Sequence, residues 1–168
     1  DRAGDRGLSN LRSVEVIPYA LPFRQPYVTS RGSLDQREIV LLRILTSDGT
    51  IGLGEAVPLS LRAGAGTTTA AGELKHWGAA TPAGAEARIP ESAPARAALA
   101  MALADIEAKE EGVPLHALLS PGSLARPLPC NATLTTGTPD EVLSQAETWA
   151  ADGFEVFKLK VGSGDDIE

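Results

Sequence analysis

Two lysines, Lys158 and Lys160, stand in the run GFEVFKLKVG, from Gly153 to Gly162. Alternation along a strand places Val156, Lys158 and Lys160 on one face and Phe157, Leu159 and Val161 on the other. The apolar face suits packing under helices. The lysine face is then expected to point into a barrel interior or a cleft. Two ammonium groups on one inner face are costly to desolvate. Each also disfavours the other's charge, which favours the neutral amine that a general base requires. The chemistry this pair suits is proton abstraction. The plain alternative is an edge strand carrying two solvated lysines, since Lys-x-Lys is a common triplet.

What precedes the lysines favours the functional reading. Cys130 to Thr136 reads as a strand. Thr138 is an N-cap with Pro139 at the first helical position and Glu141 three residues on, the pattern of a capping box. The helix runs to Asp152 and Gly153 ends it. Strand, helix and strand in such a short span form a βαβ unit with parallel strands. Lys160 then lies at the carboxyl end of a parallel strand, where barrel enzymes place their catalytic groups.

Upstream the pattern differs. Arg12 to Ala20 reads as a strand, with Val14 and Val16 on one face. The stretch LPFRQPYVTSRGSL, Leu21 to Leu34, is polar and interrupted by Pro22 and Pro26, so a loop is expected there, of a length that is often functional. Arg37 to Thr46 is a strong strand. Asp48-Gly49 is a tight-turn signal, and Ile51 to Val57 returns as the second arm of a hairpin. Gly52 and Gly54 within that arm mark a bulge or a close backbone approach. A helix is expected around Thr68 to Trp77. A clearer one follows, with Ser92 as N-cap, Gly112 as stop, and an apolar face of Ala98, Met101, Ala102, Leu103 and Ile106. A short helix runs from Pro114 to Leu119. Pro121, Gly122, Pro127 and Pro129 mark a domain boundary. The expected division is a flexible tail over 1–11, an α+β domain over 12–122, and the start of a second domain over 123–168.

Composition narrows the function. The 168 residues carry a net charge of −7, which argues against a nucleic-acid surface. The one cysteine, Cys130, excludes an internal disulfide framework, so a reduced, cytoplasmic setting is the default expectation. No apolar run reaches the ~20 residues that span a bilayer, and no signal peptide is expected from the opening residues.

Three segments, in the order the family has them, carry a family resemblance. GFEVFKLKVG resembles the Lys-x-Lys strand of the enolase superfamily, muconate-lactonizing subgroup. IGLGEAVPLS, Ile51 to Ser60, resembles the Gly-x-Gly-Glu hairpin of that subgroup's capping domain. ARAALAMALADIEAKEEGVPLHALL resembles its Ala-rich helix, which leads through Gly-x-Pro-Leu to the first barrel strand. The resemblance implies an α/β protein: an α+β capping domain, built on an antiparallel three-stranded meander plus helices, followed by the first βαβ of a (β/α)8-type TIM barrel. It further implies a Mg2+ ion held by acidic residues on later strands, beyond residue 168, and an enediolate formed by proton abstraction α to a carboxylate. By position Lys160 would be the acid/base, and Lys158 would assist it and help hold an oxygen of the carboxylate or enolate. The expected partner is a small carboxylate substrate, bound by a homo-oligomer. Within the subgroup, LPFRQPYVTSRGSLDQREIVLLRI, GEAVPL and PLPCNATL look most like the o-succinylbenzoate synthases, which dehydrate a cyclohexadiene carboxylate. Dipeptide epimerases, N-acylamino acid racemases and muconate cycloisomerases share most of these motifs.

On the same resemblance, Leu21 to Leu34 would be the capping loop that closes over substrate, with Tyr27 and Arg31 in contact with it. Pro58 would belong to a second capping loop. Thr133 and Thr135 would share a pocket-lining face with Asn131, against the plain fact that strands favour Thr. Glu55 reads as a hairpin anchor before a catalyst. His76 and His116 lack metal-ligand spacing, and Cys130 reads as a small buried hydrophobe. Gly162-Ser163-Gly164 reads as a βα turn. Asp165, Asp166 and Glu168 are wrongly placed for strand-end metal ligands. Taken by itself, the chain is therefore expected to be inactive. The competing class is a non-catalytic α+β interaction domain in which both lysines are surface charges.

Overall fold

The computed structural model describes residues 10–29, 31–59, 61, 63–81, 88–122, 124 and 126–160. The expectations for Val161 and for the turn and acidic residues at 162–168 lie outside these, as does most of the expected tail. Leu11 was placed in that tail, but it opens a strand and is buried. The elements are β1 (Leu11–Thr29), β2 (Gly32–Thr46), β3 (Ile51–Ala56), α1 (Thr67–Ala80), α2 (Ala93–Glu110), α3 (Leu115–Leu119), β4 (Asn131–Leu134), α4 (Pro139–Ala151) and β5 (Val156–Leu159).

The largest departure from expectation is at 21–34. Strand structure continues through Pro22 and Pro26 to Thr29 and resumes at Gly32. Both prolines lie on β1, an outer strand of the sheet order β1-β2-β3, where a missing N–H removes no essential ladder bond. The expected loop is therefore the far end of a long β-hairpin.

The chain divides into two compact units. Residues up to Leu21 together with Arg37–Leu124 form the first. Pro22–Gln36 and the chain from Ala125 form the second. The hairpin tip thus groups with the later residues, where the sequence had suggested one unbroken first domain.

The core of the first unit follows from pairing across the meander. Val40, Leu42 and Ile44 of β2 are fully buried, and they pair with Ala56, Gly54 and Gly52 of β3. Each such aliphatic side chain contributes roughly 1.5–3 kcal/mol on burial. The register is unbroken from Val40↔Ala56 to Leu45↔Ile51, so the two glycines make no bulge. They allow a close approach: a Cβ on Gly54 would lie 1.9 Å from the Ala98 carbonyl oxygen, and one on Gly52 2.3 Å from that of Ala102. The matching surface of α2 is built of small residues, Ala95, Ala98 and Ala102, all fully buried. Leu74 and Trp77 of α1 complete the core, with Val14, Val16 and Leu103 packed at its edge. Met101, expected on the buried face, is 43% exposed, whereas Leu99 and Ile106 of the same helix are buried, so the contact face of α2 is centred away from Met101.

The ends of α2 are set locally. Ser92 occupies the N-cap but makes no side-chain cap bond. Its N–H and hydroxyl both donate to Glu73 of α1, at 2.9 and 2.7 Å. These bonds hold the Glu73 carboxyl below its ordinary range. At the other end Gly112 has φ +67°. Val113 N–H donates to Ala108 O and Gly112 N–H to Lys109 O, the two bonds of a Schellman motif. Lys109 Nζ then reaches Asp105 and the Ile51 carbonyl, both at 2.7 Å, while Asp105 accepts the Leu53 N–H. The helix is thereby pinned to β3 by polar as well as apolar contacts. No helix among the described residues is long and apolar enough to cross a membrane.

Candidate functional site

The candidate lysines belong to the second unit, whose described scaffold is β4, α4, β5 and the hairpin tip. The strands pair in parallel, with Ala132↔Phe157, Thr133↔Lys158 and Leu134↔Leu159. The Lys160 N–H donates to Leu134 O at 3.2 Å and extends the ladder by one rung. Lys160 is thus held at the carboxyl end of β5 by its backbone.

The helix that joins the strands is strongly specified. Thr138 and Glu141 form the expected capping box, with the Thr138 N–H donating to Glu141 at 2.7 Å and the Glu141 N–H donating to the Thr138 hydroxyl at 3.4 Å. At the far end Gly153 has φ +91°. Phe154 N–H donates to Trp149 O and Gly153 N–H to Ala150 O, both at 3.0 Å. The Phe154 and Trp149 rings meet edge to face at 5.2 Å, the apolar clasp that accompanies this type of helix end. These bonds fix where β5 begins, and hence where Lys158 and Lys160 fall on it.

The strand faces differ. Ala132 and Leu134 of β4 are buried and Thr133 is half-buried. On β5, Val156, Phe157 and Leu159 are 54%, 38% and 53% exposed. Lys158 is exposed and Lys160 half-buried. The enclosed lysine face expected from the sequence is therefore not formed among the described residues.

What is assembled is a contact between two of the expected site residues. Lys160 Nζ lies 5.9 Å from the centroid of the Tyr27 ring, within cation–π range. Tyr27 in turn stacks on Phe23, with centroids 5.6 Å apart and planes at 24°. Phe23 was missed by the sequence reading, which treated its segment as a loop. Residues 23 and 27 are four apart on a strand and so share a face, and that spacing was the available signal.

The remaining candidates are dispersed. The Thr135 hydroxyl and N–H both donate to Gln145 Oε1 of α4, at 3.0 and 2.9 Å. Thr135 lies just past the end of β4, so its hydroxyl is engaged by the helix. Nothing in the spacing singled out Gln145. Arg31 is exposed at the hairpin tip, its N–H donating to Thr29 Oγ1 at 3.1 Å. Pro58 is buried in the first unit. Glu55, also there, accepts the Tyr19 hydroxyl, which raises the tyrosine's pKa and ties β1 to β3 as an anchor would. His76 and His116 are exposed. Cys130 is exposed rather than buried, because it precedes β4 instead of lying in it. Among the described residues no group of three or more His, Cys, Asp or Glu is placed to hold a metal ion.

Residues 11–120 match the family described as mandelate racemase / muconate lactonizing enzyme, N-terminal domain. The hydrophobic dipeptide epimerase of Citrifermentans bemidjiense is 31% identical over 170 residues, covering 93% of this chain and 45% of that protein. The muconate cycloisomerase 1-2 of Acinetobacter lwoffii is 31% identical over 169 residues, covering 91% and 43%. Among solved structures, the dipeptide epimerase of Methylococcus capsulatus, complexed with Mg and L-Arg-D-Lys, superposes with a TM-score of 0.79 at 28% identity, covering 93% of this chain and 47% of that one. The chain spans under half the length of the curated relatives it matches. These relatives are epimerases and a cycloisomerase, and none of them is an o-succinylbenzoate synthase. With its meander, its glycine-backed helix and a match across well over half of its residues, the chain belongs to the mandelate racemase / muconate lactonizing enzyme family of the enolase superfamily.

Proposed function

We propose that the protein removes a proton α to a carboxylate and returns it, epimerising a dipeptide or N-acylamino acid. The observation that carries this reading is the placement of Lys158 and Lys160 on one face at the carboxyl end of a parallel strand, in a chain of this family. The neutral amine of Lys160 accepts the α-proton as the enediolate forms, and the resulting ammonium can return it. The ammonium of Lys158 offers its charge to the oxygen on which negative charge develops. Thr133, paired with Lys158, lines the same face. Thr135 has a single hydroxyl proton and gives it to Gln145, so it can only accept from a substrate. Arg31 and Tyr27, at the hairpin tip, are the candidates for contact with the substrate's carboxylate and side chain.

Epimerisation also needs an acid/base on the opposite side of the α-carbon, which the described residues do not supply. A Mg2+ ion, present in the Methylococcus relative's complex, would stabilise the enediolate charge. The described residues do not fit it, and no step above runs through it. Dehydration to o-succinylbenzoate stands second. It uses the same lysine and rests on the segments around Tyr27, Glu55 and Cys130.

The test is α-proton exchange. The protein expressed from its natural gene is incubated in D2O with Mg2+ and a panel of dipeptides, N-acylamino acids and the dehydratase substrate, and followed by proton NMR. Exchange with a dipeptide or N-acylamino acid, abolished by Lys160→Ala, is the expected result. Exchange that survives Lys160→Ala removes the assigned role. Aromatic product with no epimerisation replaces the first reading with the second.

A further inference from the structure

We infer that Tyr27 is a positioning residue for Lys160: the face of its ring holds the Lys160 ammonium at the end of β5, tying the hairpin tip to the proposed base. The inference builds on the assignment of Lys160 above, but its test does not depend on turnover.

Three observations carry it. The first is the 5.9 Å separation of Lys160 Nζ from the Tyr27 centroid. The second is the support behind the ring. Phe23 stacks on Tyr27, both rings are half-buried, and each directly follows a proline, Pro22 and Pro26. Proline fixes φ near −65°, so the strand that presents the two rings is stiffened one residue before each. The third is the fixed position of the lysine, whose backbone is bonded to Leu134. Two rigidly mounted groups face one another across the hairpin tip and the strand end.

The chemistry of the partner matters as much as its position. A carboxylate placed beside Lys160 would accept its hydrogen bonds and lock it as a cation. A ring face attracts the ammonium without taking a proton and without forming a directed salt bridge. The contact therefore describes the resting, protonated lysine, and the neutral amine that accepts the α-proton is one that has left the ring. Tyr27 acts through Lys160, and contact of the ring with substrate is a separate matter.

The experiment compares amine acylation by a water-soluble N-hydroxysuccinimide acetate at neutral pH, read residue by residue by peptide mass spectrometry, in the natural protein, Tyr27→Leu and Tyr27→Phe. Lys158, on the same strand, is the internal reference. Leucine keeps bulk and removes the π face; phenylalanine keeps the face and removes the hydroxyl. An exposed cation–π contact corresponds to a change of about two- to five-fold. The expected result is that Lys160 acylation rises by that factor in Tyr27→Leu, with Lys158 unchanged and Tyr27→Phe like the natural protein. Equal Lys160 rates in all three overturn the inference. So does a parallel rise at Lys158, which would mean general opening, or a rise in Tyr27→Phe, which would assign the effect to the hydroxyl. Absence of α-proton exchange alongside the expected labelling pattern would remove the base assignment and leave the ring contact standing.

Discussion

Replacing Gly54 with alanine adds one methyl group at the tightest point of the first unit. That methyl would sit 1.9 Å from the Ala98 carbonyl oxygen, whereas ordinary contact begins at 3.4 Å, so a gap of 1.5 Å must open. The obstacle is helix backbone, and Ala98 and Ala102 around it are fully buried, so no side chain can swing aside. Overpacked cores lose about 1–3 kcal/mol and sometimes more. Backbone on both sides places this change at roughly 3 kcal/mol or above. For a chain of this size that corresponds to a fall of about 6–12 °C in melting temperature. Gly72 supplies the control, because it lies within α1 and a Cβ there meets nothing within 4 Å. Gly72→Ala should stabilise by up to about 1 kcal/mol through helix propensity alone. Thermal and urea melts followed by circular dichroism measure both. A Gly54→Ala loss below about 1 kcal/mol would refute the claim that helix and strand are in backbone contact there.

Other expectations concern the second unit and acid stability. Lys160→Ala should lower α-proton exchange by about 10²–10⁴-fold or more, measured by NMR in D2O as described above. Thr138→Ala removes the hydroxyl half of the α4 capping box and should cost about 1 kcal/mol, visible as earlier exchange of α4 amides in hydrogen-exchange mass spectrometry. Glu73 has its folded pKa depressed by the Ser92 N–H and hydroxyl. Its contribution is therefore present above the ordinary glutamate value and lost as pH falls through the folded one. Urea midpoints taken between neutral and acid pH should fall less steeply in Glu73→Gln, and equal slopes would exclude Glu73 as a source of that dependence.

Where local chemistry decides the outcome, the sequence could be read directly. Thr138, Pro139, Glu141 and Gly153 define α4 without help from the rest of the chain. Asp48-Gly49 defines its hairpin in the same way, with Gly49 at φ +95°. The strand position of Lys158 and Lys160 follows from those signals. Where tertiary context decides, the reading failed. Pro22 and Pro26 break a central strand but are tolerated on an outer one, and position in a sheet cannot be seen in a segment's composition. Met101 fits the helical period yet is exposed, because the contact face of α2 runs through Ala95, Leu99, Ala102 and Ile106 and leaves Met101 at its border. The tie between Tyr27 and Lys160 joins residues more than 130 positions apart in sequence, and no local pattern announces it. Phe23 stayed hidden for the same reason, once its strand had been taken for a loop.

The paired glycines of β3 have a consequence for how the hairpin finds its alignment. Gly52, Gly54 and Ala56 face the core, while Leu53 and Glu55 face outward. A slip of one residue against β2 would reverse every side chain on the strand. Leu53 and Glu55 would then be driven against the Ala98 and Ala102 carbonyls, where even a methyl group has no room. The misaligned hairpin cannot dock α2 at all. The two positions that look weakest as strand formers would thereby disfavour a one-residue slip, because only the glycine face of β3 leaves room for the helix.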